Sequence, residues 1–142
     1  MMHNPMAYMA NQAYRGTATT VPPLKAVSML LGGTITFLQK SLAAQEARRF
    51  EEGHDYLVRA TAILRGLSHN LDFARGGAVA ERLFQTYNTL ILASHKAYGR
   101  PHARESYRRI IAGLTELREA WESVDATLRS SKAGSADSAR TG

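Results

Sequence analysis

The chain has 142 residues, enough for one domain, and 44% of them are hydrophobic, which permits a packed core and argues against global disorder. It contains no cysteine, which removes disulfides, thiolate metal sites and cysteine nucleophiles together and suits a reducing compartment. Eighteen Lys and Arg against twelve Asp and Glu leave a net charge of +6, an excess that could serve an acidic protein, a nucleic acid or a membrane surface.

The opening residues M-M-H-N-P-M-A-Y-M-A lack the basic-then-apolar layout of a secretory signal. The longest uncharged apolar run, between Lys25 and Lys40, holds 14 residues and includes Gly32 and Gly33. A helix that crosses a bilayer needs about 20 apolar residues. A cytoplasmic protein without membrane insertion is therefore expected. Residues 1–21 carry Met6, Tyr8, Met9 and Tyr14 without sustained periodicity, which predicts a strap or short cap helix lying on the domain.

Four segments with helical periodicity follow. The first begins near Pro22 and Pro23, where a missing N–H is harmless, and carries Leu24, Val27, Leu31, Ile35, Leu38 and Leu42. Gly32 and Gly33 sit inside it at a cost of about 1 kcal/mol each relative to alanine; close approach of a neighbouring backbone is the expected compensation. The second covers about residues 48–71, with Phe50, Leu57, Ala60, Leu64, Leu67 and Leu71 on one stripe. The turn N-L-D-F-A-R-G-G, residues 70–77, separates it from the third: Asp72 suits local backbone bonding and the glycines permit left-handed geometry. The third begins just after Gly77, shows Ala80, Leu83, Tyr87, Leu90, Ser94 and Ala97, and is stopped by Gly99-Arg100-Pro101. The fourth steps through Tyr107, Ile110, Leu114, Leu117, Trp121, Val124 and Leu128.

Helices of about 20 residues, roughly 30 Å long, joined by short connections should be antiparallel neighbours. The predicted fold is an all-α, antiparallel four-helix bundle over residues 22–130, with the strap at 1–21 and a small, polar, disordered tail at 131–142.

Glu51 and His54 have the E-x-x-H spacing of a di-iron ligand pair, but no second pair accompanies them, and the first helix has no acid before Glu46. No phosphate-cradling glycine loop or nucleophile elbow is present. The sequence predicts no metal, no cofactor and no enzymatic activity.

Beside the inner stripes, Tyr56, Ile63, Phe84, Ile91, Tyr98 and Ile111 stand one step to the side. A core face at least 100° wide accounts for such residues; so does a groove that receives an amphipathic helix of another protein. Under the second reading the candidate partner-binding residues are Tyr8 and Tyr14 on the strap, with Tyr56, Ile63, Phe84, Tyr87, Ile91 and Ile111 on the bundle. A separate basic face gathers Lys96, Arg100, Arg104, Arg108 and Arg109, either as a solvated surface or as a nucleic-acid-binding one.

L-D-F-A-R-G-G-A-V-A, residues 71–80, resembles the L-D-x-x-x-G-G-E-I-A segment of the flagellar export chaperone family FliS. V-P-P-L-K-A-V-S-M-L-L-G-G-T-I-T-F-L, residues 21–38, is similar to the family's S-P-x-x-L-L-x-M-L-Y-D-G-A-I-x-F-L, and L-T-E-L-R-E-A-W, residues 114–121, to its L-x-E-L-R-D-A-W. The resemblance implies a small helical bundle that binds the C-terminal helices of flagellin in the cytoplasm, prevents premature polymerisation and serves type III export, with contact to the export gate as a further expectation. It implies a monomer or weak homodimer and no catalysis. The chain departs from the motifs at Leu31 and Gly32, which replace Tyr and Asp, and at Ala78 and Arg82, which replace Glu and Asn. A basic bundle that binds nucleic acid is the alternative.

Overall fold

A proline opens the first helix and the spacing of leucines carries it onward, as the sequence leads one to expect. The computed structural model describes residues 13–14 and 23–141, and among them four helices in chain order: α1 (Pro23–Glu46), α2 (Phe50–His69), α3 (Phe73–Ala97) and α4 (Ala103–Thr141). Consecutive helices pack side by side and α4 returns against α1, which closes a four-helix ring. The packing is most extensive where α1 meets α2 and α4, and thinnest along the α3–α4 seam.

The predicted inner stripes form the core. Leu31, Leu38, Leu57, Leu64, Tyr87, Tyr107 and Leu114 are fully buried, and Leu24, Val27, Leu67, Ile110 and Trp121 join them. Each such side chain contributes about 1.5–3 kcal/mol of transfer free energy. Phe50 departs from its stripe and is exposed, since it opens α2 at the end of the bundle, where its ring meets that of Tyr98 edge-on at 6.5 Å.

The α1–α2 connection is a helix stop without glycine. Arg48 adopts a left-handed φ of 61°. The Arg49 N–H reaches Ala44 O at 2.8 Å and the Arg48 N–H reaches Gln45 O at 3.0 Å, the paired bonds of a Schellman motif. The next connection follows the expected chemistry. Asp72 caps α3 by accepting from the Arg75 N–H at 3.0 Å, and Gly77 takes φ 51°, ψ −128°, a conformation open to glycine. Helical structure starts before that kink, at Phe73, because the Asp72 cap nucleates a turn ahead of the glycines. Gly99, at φ 72°, ends α3 and donates its N–H to the Gln45 side-chain carbonyl at 2.8 Å.

The glycines of α1 are approached by side chains and not by a backbone. The Arg118 guanidinium lies over Gly32, and Ile63 Cδ1 lies 3.5 Å from the place a Cβ would take on Gly33. The α4 backbone is helical to Thr141, and the core residues described on it reach Trp121 and Val124.

Candidate functional site

The strap residues that the structure describes dock on the turn between α2 and α3. Ala13 O accepts the Asp72 N–H at 2.7 Å, so the same aspartate that caps α3 with its side chain holds the strap with its backbone. Gly76 makes this approach possible. A Cβ there would stand 3.0 Å from Ala13 Cα and 2.8 Å from Ala80 Cβ. The turn at 70–77 is thus both a helix junction and the seat of the strap.

Tyr14 enters the core beside α2, α3 and α4. Its ring meets Trp121 edge-on with centroids 5.7 Å apart. Its hydroxyl lies 3.0 Å from Leu67 O and 2.9 Å from the Tyr87 hydroxyl. A carbonyl cannot donate, so Tyr14 donates to Leu67 O and accepts from Tyr87 when both bonds form. Leu67 O belongs to the last turn of α2, where carbonyls lack helical partners; the strap tyrosine caps that helix. Burial pushes the Tyr87 hydroxyl pKa up to about 12, and burial also raises that of Tyr14. Both remain neutral hydroxyls. The Trp121 indole N–H is buried without a hydrogen-bond partner.

The remaining predicted contact residues fall on three faces. Tyr56 and Ile63, half-buried, line the outer α1–α2 groove, where Tyr56 stacks on Phe37 at 6.1 Å and Ile63 lies over Gly33. Arg59 and Lys40 lie over these rings at about 6 Å, close enough for cation–π attraction. Phe84 on α3 is 42% exposed and meets the edge of the exposed Phe73 at 5.7 Å. Ile111, half-buried, belongs to α4. Ile91 is 8% exposed and packs in the core, as do Tyr14 and Tyr87. Tyr8 lies outside the described residues.

Sequence reasoning missed two residues of the α1–α2 surface: Met29, 61% exposed, and Leu30, 44% exposed. With Gly33 and Phe37 they continue one face of α1 at spacings of three and four. Their signal was present as apolar positions that the inner stripe of α1 does not use.

Between α2 and α3, the His95 ring nitrogen approaches the Thr61 hydroxyl at 3.3 Å. Burial first, then the charges of Arg65 and His54, lower the His95 pKa. His54 meets the Tyr98 ring at 5.8 Å, and among the described residues no group of three or more His, Asp or Glu converges on a metal-sized site. On the basic face, Arg104 pairs with Glu46 and Arg109 with Glu105, so two of the five cations are answered within the chain.

The family model described as flagellar protein FliS matches residues 6–128, from the strap into α4. The chain belongs to the FliS family. Among curated proteins none matches it significantly. FliS proteins are flagellar chaperones, and the family match includes strap, bundle and the turn on which the strap sits. No helix among the described residues is long and apolar enough to cross a membrane. Where the FliS motif has Tyr and Asp, this chain places Leu31 in the core and leaves Gly32 beneath Arg118.

Proposed function

We propose that this FliS protein is a cytoplasmic chaperone for flagellin: it binds the C-terminal helical segment, prevents early polymerisation and holds the subunit ready for flagellar type III export. One observation carries the reading. The outer α1–α2 groove presents Met29, Leu30, Phe37, Tyr56 and Ile63 as an apolar row that the bundle core leaves partly uncovered. A row with anchors at i, i+3, i+4 and i+7 fits the apolar face of an amphipathic helix.

The mechanism is competition for one surface. Flagellin's terminal helices bury their apolar faces in the filament, and a chaperone that covers those faces first makes binding and polymerisation mutually exclusive. The strap supports a second level. Tyr14 fills a pocket beside Tyr87, and its departure would open that pocket to a partner side chain. Neither step makes or breaks a covalent bond.

Titration of the full chain with a flagellin C-terminal peptide, followed by a filament-growth assay with intact flagellin, tests this function. One-to-one binding that halts growth is expected. Duplex DNA serves as the contrasting ligand at two salt concentrations, since binding through phosphate contacts loses orders of magnitude of affinity as salt rises. Tight DNA binding with no peptide binding would overturn the proposal.

A further inference from the structure

We propose that Arg118, set over the bare backbone of Gly32, is a carboxylate-receiving site in the α1–α4 groove, and that the helix docked there carries an acidic residue within a turn of its apolar anchors. The inference rests on the flagellin reading and deepens it by naming the chemistry of the bound segment.

A Cβ on Gly32 would stand 3.1 Å from the guanidinium carbon of Arg118, 3.2 Å from Nη1 and 3.4 Å from Nη2. The absent side chain therefore leaves a notch into which the fork of the arginine fits. No carboxylate of α1 can answer it, because that helix has no acid before Glu46, more than three turns away.

Glu122 answers the guanidinium from one side: its Oε1 pairs with Arg118 Nε at 3.2 Å and also accepts the Ser28 hydroxyl at 3.0 Å. The Arg118 Nε–H is buried and, despite that ion pair, lacks hydrogen-bond geometry, while Nη1 and Nη2 lie over Gly32. The Nη edge of the fork, turned away from Glu122, carries the remaining N–H donors. The side chain remains 43% exposed, so a ligand can reach it. A carboxylate can take two parallel bonds from such a fork, a stronger and more directional contact than a neutral pair.

Apolar neighbours define the occupant. Met29 precedes Gly32 by one turn on α1, and Ile111 precedes Arg118 by two turns on the same face of α4. A docked helix would place apolar residues against Met29 and Ile111 and its acid over Arg118. The positive site and the apolar flanks together select an acidic amphipathic segment over a basic or uncharged one.

Calorimetric titration with the C-terminal peptide of flagellin tests the site. Arg118→Gln should weaken binding by about tenfold or more, and Arg118→Lys, which keeps the charge but loses the fork, by less. Gly32→Asp should restore an internal partner, raise the melting temperature and weaken peptide binding, yet cause no further loss in the Arg118→Gln background. Replacing one acidic side chain of the peptide by its amide should reproduce the Arg118→Gln loss without adding to it. Unchanged affinity in Arg118→Gln, or an equal loss from Gly32→Asp in both backgrounds, would overturn the inference while leaving flagellin binding intact. Failure of the unaltered chain to bind the peptide would remove the flagellin reading and this site with it.

Discussion

Replacing Tyr14 by phenylalanine removes one oxygen and keeps the ring that meets Trp121. That oxygen makes two contacts, to Leu67 O at 3.0 Å and to the Tyr87 hydroxyl at 2.9 Å, and both partners are buried. Each bond is worth about 0.5–1.5 kcal/mol net, and a buried group left without a partner costs about 1–3 kcal/mol. A loss of about 2 kcal/mol follows, equivalent to a fall of roughly 6–10 °C in melting temperature for a domain of this size. The loss has a ceiling. If the strap leaves, water reaches Leu67 O and Tyr87, so the bundle cannot lose more than the free energy with which the strap docks.

The same substitution has the opposite sign in binding. If strap and flagellin helix exclude one another, the apparent dissociation constant is the intrinsic one divided by the fraction of unlatched protein. Weakening the latch by about 2 kcal/mol can raise apparent affinity by up to about 30-fold. Differential scanning calorimetry and peptide titration on one protein sample measure both effects. An unchanged melting temperature would refute the hydrogen-bond assignment. A lower melting temperature with unchanged affinity would refute the competition.

Ile63→Asp should weaken peptide binding with helicity near that of the parent, whereas Ile91→Asp, at a position 8% exposed, should unfold the bundle; circular dichroism separates the two. Arg48→Gly should stabilise the protein by about 1 kcal/mol, because glycine adopts the left-handed φ of the α1–α2 turn without the penalty that arginine bears, and an unchanged denaturant midpoint would refute this. His95 has a lowered pKa in the fold, so the unfolded chain binds its proton first as pH falls below about 6.5. Stability should decline from there until the folded imidazole also protonates, and His95→Gln should flatten that limb in melting curves taken between pH 7.5 and 5.

The inner stripes were legible because an amphipathic helix repeats its address every three or four residues: Leu57, Leu64 and Tyr107, Leu114 could be assigned to the core from spacing alone. Depth was not legible. Phe84 and Ile91 are seven residues apart and share one azimuth on α3, yet one is exposed and the other buried. Periodicity reports direction around a helix, while burial also depends on what the next helix presents at that height. Arg48 hid a turn for a related reason, since its left-handed conformation is stabilised by two backbone bonds that no residue type announces. Asp72 and Gly76 were readable as turn residues, but their second task, to receive Ala13, depends on a segment more than fifty residues earlier in the chain. Gly32 posed the right question with the wrong neighbour: what occupies the space is the end of a long side chain.

The strap is held by terms of the right size for a latch. Burial of the Tyr14 ring supplies about 1.5–3 kcal/mol, and the contacts of Tyr14 and Ala13 to Leu67, Tyr87 and Asp72 add about 1 kcal/mol each. Ordering the backbone costs about 1–2 kcal/mol for each residue fixed. For Ala13 and Tyr14 these figures leave only a few kcal/mol in favour of docking, so the hold is marginal. Marginal docking is what the proposed mechanism requires. A latch several kcal/mol stronger would subtract that amount from every binding event, and one much weaker would leave the pocket beside Tyr87 open, with the α2 end uncapped, whenever flagellin is absent. The turn at 70–77 sets the balance. Gly76 admits Ala13, and among the described residues Asp72 gives it one backbone bond, a light hold on the segment that the proposed mechanism has to displace.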